Sequence, residues 1–268
     1  MFGRGEYPAA RSVPAQDVLL GSRGLSGTEF ERLASFWTLG GLVAVHAADR
    51  SRQAIWDALK RREVYGTSGP RILLWFELLN GADAEGGPTV VPMGGATSMG
   101  QAPRFRVRAV GSFKQRPGCP DWVTQALSRR RLDKLGSNEC YHPSDERYVI
   151  DRIEVVRIRP QNSPDESLDG LIEDAWQVFR CEPSQAGCQL EFSDPDFSRD
   201  TVYYVRAIEE DTPTINGRNL RTTFDRDGRA VDITPCYGDF KTEAEDQCLS
   251  LVGQRAWSSP IYVDYGER

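Results

Sequence analysis

The residue types that could do chemistry in this sequence are few. His46 and His142 are the only histidines in the 268-residue chain. A polynuclear metallohydrolase centre normally draws on several histidines together with carboxylates. We therefore expect that this chain does not assemble such a centre from its own histidines.

His46 is the candidate catalytic residue. It follows a strand-length apolar run, Leu42–Val45, and precedes a predicted helix. In β/α barrels, active-site groups gather at the end of a strand that leads into a helix. Two interpretations stay open: His46 lines a metal cleft as a ligand or proton shuttle, or it is a packed, hydrogen-bonded core side chain.

The six cysteines contain no Cys-x-x-Cys pair, so the common zinc spacings are missing. An even number of cysteines in loop-like contexts favours disulfides and an extracytoplasmic, periplasmic or secreted location. We predict that neighbours pair, with six reduced cysteines as the alternative. The predicted pairs are Cys119 with Cys140, Cys181 with Cys188, and Cys236 with Cys248.

Three polar motifs have both a chemical and a structural interpretation. Thr67-Ser68-Gly69 could hold an anion, but a tight turn explains it as well. Cys119, Cys140 and His142 could ligate a metal, although a disulfide beside an exposed histidine fits better. Residues 225–228 with Asp232 faintly resemble a calcium loop, although an Asp-Gly turn is the simpler account.

Clustered charges are the remaining candidates. Asp194-Pro195-Asp196 and Glu209-Glu210-Asp211 are acidic clusters that could perform acid–base chemistry on a glycoside, or could be solvated loop charges. Arg129–Arg131 is either a solvated face or a contact for an acidic partner. The formal net charge of −6 and pI near 5.2 argue against nucleic-acid binding, which usually needs a basic face.

The elements that must position these residues fall into three predicted segments. Residues 1–25 are rich in Gly, Pro and Arg, lack an apolar h-region, and predict an irregular segment without a signal peptide. Residues 26–66 predict a short helix, a strand at Leu42–Val45 buried on both faces, and a helix from about 52 to 62. Either Asp49 or Ser51 could cap the second helix, whose apolar stripe is Ile55, Ala58 and Leu59. The longest apolar stretch, residues 36–48, is too short to span a bilayer.

Residues 67–268 predict a β-sandwich-like domain. Seven short strands alternate with Gly and Pro, and residues 80–102 predict a long loop. Phe105, Val107 and Ala109 are expected on the buried face of one strand. The fold class is thus mainly β (α+β): an antiparallel sandwich preceded by a small α/β segment. The predicted strands cover residues 71–79, 104–113, 148–159, 177–181, 188–192, 201–208 and 259–265.

Several segments resemble large bacterial proteins of unassigned function related to the PHP (polymerase and histidinol phosphatase) metallohydrolases. The resemblance covers about residues 38–268, and the block at 51–72, SRQAIWDALKRREVYGTSGPRI, is its most specific part. The other segments that carry it are residues 40–46, 139–147, 152–161, 203–207 and 255–261.

The resemblance implies a distorted β/α barrel whose His and acidic ligands hold two or three divalent metals (Zn, Mn or Fe). Those ligands lie in His-x-His and Asp-x-His motifs, and neither motif occurs in this sequence. The chain therefore resembles only the C-terminal portion, namely the last β/α unit of the barrel and the β-rich domain after it. The implied partner is the missing barrel portion or a homologous subunit.

Three functional hypotheses follow from the sequence. The first is a non-catalytic C-terminal part of a PHP-like metal-dependent hydrolase that acts on a phosphoester or related bond. The second is an extracytoplasmic β-sandwich module that binds a glycan or a protein. An exposed row of aromatic side chains on one sheet face would favour it. The third is an orphaned fragment without activity. Exposed apolar surface around residues 30–59, where the missing barrel would dock, would favour it.

Overall fold

The computed structural model describes residues 40–82, 87–136, 140–215, 217, 221–232 and 249–266. This part of the chain is mainly β, as predicted. The helices are α1 (Arg52–Lys60), α2 (Asp121–Ala126) and α3 (Arg129–Gly136). The strands are β1 (Leu42–Val45), β2 (Val64–Thr67), β3 (Leu73–Ala82), β4 (Pro88–Pro92), β5 (Ala96–Met99), β6 (Arg104–Val110), β7 (Phe113–Pro117), β8 (Tyr141–Arg147), β9 (Ile150–Ile158), β10 (Ile172–Arg180), β11 (Cys188–Ser193), β12 (Thr201–Ile215), β13 (Thr223–Phe224), β14 (Ala230–Asp232), β15 (Leu249–Ser258) and β16 (Ile261–Tyr265).

The larger main sheet has eight strands organised around β12. One path of neighbours runs β1-β2-β15-β12-β16-β5, while β9 and then β10 lie on the other side of β12. All of these neighbours are antiparallel except β16 and β5, which are parallel. The long β12 strand therefore connects both wings of the sheet.

The smaller main sheet has four strands in the order β11-β6-β3-β4, all antiparallel. Along β3 and β6, buried side chains alternate with less buried ones, so every second residue faces the other sheet. Phe105, Val107 and Ala109 are buried on β6, which confirms the face predicted from the sequence. On the outer face Arg106 pairs with Glu77 across the strands, with Nη2 and Oε2 2.8 Å apart.

Aromatic contacts show that the two sheets pack face to face. The ring of Phe105, in the small sheet, lies 4.7 Å from that of Tyr203, in the large sheet. Phe76 and Phe192 stack on the same Phe105 ring at 5.3 and 5.1 Å. These residues belong to one continuous buried cluster, which is the core expected of a β-sandwich.

A buried ion network crosses one part of this core. Both carboxylate oxygens of Asp194 accept hydrogen bonds from Nη1 of Arg157 at 2.9 Å. Glu173 accepts from Nε and Nη2 of Arg157, and Tyr203 donates its hydroxyl hydrogen to Asp194. Burial opposes the charge of Arg157, but the hydrogen bonds to Glu173 and Asp194 outweigh that cost and raise its pKa.

Two of the acidic residues interpreted from sequence as solvated loop charges are buried instead. Asp194 and Glu209 are each only 1% exposed. Asp194 lies in the network around Arg157, while Glu209 accepts the backbone N–H of Ser112. The correction follows from long-range contacts, which the local run of acidic residues does not reveal.

Two of the predicted disulfides are present. Cys119 bonds to Cys140, and Cys181 bonds to Cys188. The second bond joins the end of β10 to the start of β11, so it links the two sheets covalently. The third predicted pair, Cys236 with Cys248, lies outside the described residues.

The long loop predicted at residues 80–102 is wrong. This stretch contains β4 and β5, and the strand β15 was also missed. Proline at both ends of β4 hid its strand character, although an edge strand such as β4 tolerates proline.

The predicted burial of Leu42–Val45 on both faces is also wrong. This strand lies at the end of the large sheet's path and pairs antiparallel with β2, in the register Leu42 with Thr67. Val43 is 70% exposed. In turn β2 pairs with β15, so the end of the α/β segment joins the sandwich sheet. The helix predicted before residue 40 lies outside the described residues.

Candidate functional site: the α1–β1 surface

The candidate site is the surface formed by α1 and the strand β1, which we call the α1–β1 surface. Ser51 caps α1, and its side chain accepts the N–H of Ala54 at 3.1 Å. Asp49 accepts the backbone N–H of Ser51, and hydrogen bonds from Ser51 lower the pKa of the Asp49 carboxyl. The helix therefore begins where the sequence predicts it.

Several apolar side chains of this surface are exposed within the described part of the chain. Of the residues in α1, only Ala58 is buried. Trp56 is 54% exposed, and Ile55 and Leu59, which the sequence predicts on the buried stripe of the helix, are both exposed. An open groove of about 920 Å³ runs along the helix. It is lined by Arg50, Arg52, Gln53, Ile55, Trp56 and Leu59.

The end of α1 is nevertheless fixed to the sandwich. The guanidinium of Arg62 lies 5.3 Å from the centre of the Tyr262 ring. Gly94, in the turn between β4 and β5, approaches so closely that a Cβ there would lie 2.3 Å from the carbonyl oxygen of Arg62. The exposed groove is therefore carried on a supported element rather than on a loose one.

His46 adjoins this surface but is occupied by packing. Its Nε2 lies 2.8 Å from the carbonyl oxygen of Leu74, and its half-buried ring packs near Tyr65 and Trp75 at 5.4 and 5.8 Å between ring centres. Tyr65 donates its hydroxyl hydrogen to Ile72 O, and burial raises its pKa. These contacts match the interpretation of His46 as a packed, hydrogen-bonded side chain.

The second histidine lies on a two-stranded ribbon away from this surface. His142 is on β8, and its Nδ1 is 2.8 Å from the carbonyl oxygen of Gly118. Its neighbours Cys119 and Cys140 are joined in a disulfide and so offer no thiolate to a metal. The structure thus places a disulfide beside a half-buried His142.

The described residues do not fit the metal centre that the PHP resemblance implies for a complete protein. They contain no group of three or more His, Cys, Asp or Glu side chains able to hold a metal ion. His46 follows the end of β1 and His142 lies on β8, and each contacts a backbone carbonyl.

The motif Thr67-Ser68-Gly69 is a satisfied structural turn. Ser68 donates its hydroxyl hydrogen to Gln254 Oε1 and accepts the backbone N–H of Arg255. Gly69 donates its N–H to the hydroxyl of Thr67 and has a positive φ of 131°. Both hydroxyls are buried and paired, so the turn interpretation accounts for the motif.

The acidic motif at residues 225–228 is also a turn. Asp225 Oδ1 accepts the backbone N–H groups of Asp227 and Arg229, at 2.9 and 2.8 Å. Gly228 has a positive φ of 75°, as the tight connection between β13 and β14 requires. The side chain that a calcium loop would use as a ligand instead closes the hairpin.

Exposed aromatic residues do not form a row on one sheet face within the described residues. The exposed aromatic residues are spread over several elements: Trp56 on α1, Trp122 on α2, Phe113 on β7, Tyr141 on β8, Phe224 on β13 and Tyr265 on β16. Sequence patterning did not identify Trp56 as a surface residue, because it lies beside the predicted apolar stripe. The sequence signal for its exposure is Lys60, a charged residue one helical turn further along. In the structure the Nζ atom of Lys60 lies 5.5 Å from the centre of the Trp56 ring.

Comparison with known families gives one match. Residues 22–116 are similar to a family described as protein of unknown function (DUF3604). The search of curated proteins and the search of solved structures each returned no match. The matched range includes β1, α1 and β2, and it continues through β3–β6 into the small sheet.

None of the helices within the described residues is both long enough and apolar enough to cross a bilayer.

Proposed function

We propose that this chain is a non-catalytic C-terminal part of a PHP-like metal-dependent hydrolase and that the α1–β1 surface receives the catalytic barrel. The observation that carries this proposal is the exposed apolar surface. Val43 is 70% exposed and Trp56 is 54% exposed, on elements that are otherwise anchored to the sandwich. Burying such side chains against a partner is favourable by about 25 cal/mol for each Å² of apolar area.

The edge position of β1 supports the same proposal. A strand at the edge of a sheet presents unpaired N–H and C=O groups, which can pair with another strand. β1 occupies the end of the path that leads through β2 to the rest of the large sheet. A partner can therefore contact both the backbone edge of β1 and the apolar groove beside α1.

The small number of histidines favours a structural role for this chain over a hydrolytic one. The chain has two histidines, and each is hydrogen-bonded to a different backbone carbonyl, His46 to that of Leu74 and His142 to that of Gly118. In the proposed complete enzyme, the ligands for Zn, Mn or Fe come from the barrel. The sandwich supports and covers that barrel. The two disulfides support an extracytoplasmic location for the complex.

The first experiment measures catalysis by the purified full chain. We expect substoichiometric Zn, Mn and Fe by elemental analysis and no phosphoesterase turnover above the buffer blank after metal is added. Stoichiometric metal together with robust turnover would refute the non-catalytic part of the proposal.

The second experiment measures docking. The probe is the polypeptide encoded directly upstream of this chain, which we expect to carry His-x-His and Asp-x-His motifs. It should bind the full chain in calorimetry, and Trp56→Ser should weaken binding at least tenfold. The control is Trp122→Ser, which removes a tryptophan that is 71% exposed on α2.

Three results would contradict docking at the α1–β1 surface. They are an upstream region without these motifs, a lack of binding, and an equal loss of affinity in the two tryptophan variants. The first two would instead favour a fragment without activity.

A further inference from the structure

A second exposed surface lies on an arm that is attached to the sandwich. This surface is separate from the α1–β1 surface on which the proposed function rests. We define the disulfide arm as residues 113–136 and 140–147, which include β7, α2, α3 and β8. β7 and β8 form a two-stranded ribbon in which Phe113 pairs with Arg147 and Pro117 pairs with Tyr141. The Cys119–Cys140 disulfide closes the far end of the ribbon, and the two helices lie beyond it.

The root of the arm is fixed to the sandwich. Tyr148 donates its N–H to Ser112 O at 2.9 Å, and Arg147 Nη1 donates to Gly111 O at 2.6 Å. Gly111 is packed so tightly that a Cβ there would lie 1.8 Å from the carbonyl oxygen of Tyr148. The arm therefore presents its helices from a defined position.

Cations on the ribbon are close to carboxylates, whereas cations on α3 are not within ion-pair distance of one in the described residues. On the ribbon, Arg116 pairs with Asp145, and Lys114 lies 3.8 Å from a carboxylate oxygen of Glu146. On α3, the cations have no ion-pair or hydrogen-bond partner for their side chains within the described part of the chain. These cations are Arg129, Arg130, Arg131 and Lys134, and all are exposed.

Aromatic side chains lie beside these cations in the chain. Trp122 on α2 is 71% exposed, and Tyr141, next to the disulfide, is 61% exposed. α2 has no buried residue, and it is joined to α3 through Leu127 and Ser128. The helical end of the arm is therefore a projecting surface with exposed aromatic and cationic groups.

We propose that the helical end of the disulfide arm binds the surface of an anionic lipid bilayer. Tryptophan and tyrosine place an apolar ring in the interface while keeping a polar group in contact with water. Lysine and arginine are attracted to anionic headgroups and can bury their aliphatic stems. An exposed projection suits a broad planar surface better than it suits a small ligand, which normally binds in a concave pocket.

The distribution of charge favours this occupant. In the sequence, residues 113–147 hold seven cations and five carboxylates, a net charge of +2, whereas the whole chain carries −6. An anionic bilayer therefore attracts this part of the chain and repels the rest of the protein. This difference orients the molecule with the arm toward the lipid.

The test uses the purified full chain and sonicated vesicles in a sedimentation assay. We expect binding to vesicles of phosphatidylglycerol and phosphatidylcholine at a 1:1 ratio (about 50% of each, a surface charge sufficient for polybasic binding). Vesicles of phosphatidylcholine alone should bind weakly. Binding should fall as the salt concentration rises, since salt screens the attraction.

Matched charge variants locate the contact. Arg130→Gln/Arg131→Gln should lower the partition coefficient roughly 25-fold, because each cation near the surface contributes a factor of about five. Arg226→Gln/Arg229→Gln removes the same charge from the exposed β13–β14 hairpin and should change binding by less than about twofold. Thermal unfolding of both variants checks that the fold is retained.

Tryptophan fluorescence gives an independent readout. The wild-type emission should shift to the blue on vesicle addition, and Trp122→Phe should remove most of that shift. Equal binding to neutral and anionic vesicles, equal loss in the two charge variants, or an unchanged shift in Trp122→Phe would overturn the proposal. Binding of an acidic polypeptide, with none to vesicles, would overturn it in favour of a protein partner.

Discussion

The sandwich interior contains a charged side chain that is buried, whereas the α1–β1 surface contains apolar side chains that are exposed. In the interior, the buried guanidinium of Arg157 donates hydrogen bonds to Asp194 and Glu173. Its Cζ atom also lies 4.2 Å from the centre of the Trp176 ring. At the α1–β1 surface, apolar Val43 and Trp56 are 70% and 54% exposed within the part of the chain that the structure describes. The two regions therefore differ in that the charged groups of the interior are paired, whereas apolar groups of the surface are exposed.

Removing an ion from the interior should have the largest effect. Asp194→Ala leaves the guanidinium of Arg157 buried with only Glu173 as a charged partner, so the free energy of unfolding should fall by about 3–5 kcal/mol. Urea denaturation followed by tryptophan fluorescence measures the change. Asp196→Ala, at an exposed position two residues away, is the control and should stay within about 0.5 kcal/mol of the wild type.

A loss below about 1 kcal/mol for Asp194→Ala would mean that the network is solvated, and the contrast between the two regions would fail.

The second prediction concerns Glu209, a buried carboxyl at the root of the disulfide arm. Its Oε1 accepts the N–H of Ser112, but its Oε2 accepts no hydrogen bond within the described part of the chain. Burial raises the pKa of Glu209, although the hydrogen bonds from Ser112 oppose that effect. The folded protein therefore favours the protonated carboxyl more strongly than the unfolded chain does.

The direction of the pH effect follows from this difference. The stability contributed by Glu209 is fully present below its ordinary pKa of 4.5 and is lost as the pH rises through the raised folded pKa. Glu209→Gln keeps a neutral side chain at every pH. It should increase the free energy of unfolding at pH 8 by on the order of 1 kcal/mol, with little effect below the ordinary pKa.

Denaturant unfolding at a series of pH values measures this difference. Glu182→Gln changes an exposed carboxyl and should show no such pH-dependent gain. A gain for Glu209→Gln that is the same at all pH values would contradict the role assigned to the carboxyl.

The smallest effect is expected at the α1–β1 surface. Ile55→Ala removes a side chain from the exposed groove and should change the free energy of unfolding by less than about 0.5 kcal/mol. The same substitution at Ile153, which is fully buried in the core, should cost about 2–5 kcal/mol. Differential scanning calorimetry of the two variants compares the regions directly, and similar losses would show that the surface is part of the core.

The sequence predicted the elements whose signals are local. The alternation of Phe105, Val107 and Ala109 identified the inner face of β6, because a strand has a side-chain period of two. Ser51 was one of the two predicted caps of α1. Cysteine order suggested the two disulfides in the described residues.

Other features had no local signal. The strands β4 and β5 lie in a segment rich in Gly and Pro, and only their pairing with β3 and β16 reveals them. The apolar run Leu42–Val45 reads like a strand buried on both faces, but its place at the sheet end exposes Val43. An apolar run in the sequence predicts a strand, but it does not show whether neighbouring elements cover the faces of that strand.

Composition and local patterning thus determined that this chain is mainly β, and that it has two histidines where a hydrolytic metal centre normally needs more. The tertiary structure decided which carboxylates are buried, which histidine contacts which carbonyl, and which apolar face is left uncovered. The physical reason is distance along the chain. Arg157 and Asp194 are 37 residues apart, and Ser112 and Glu209 are 97 apart, so only folding brings each pair into contact.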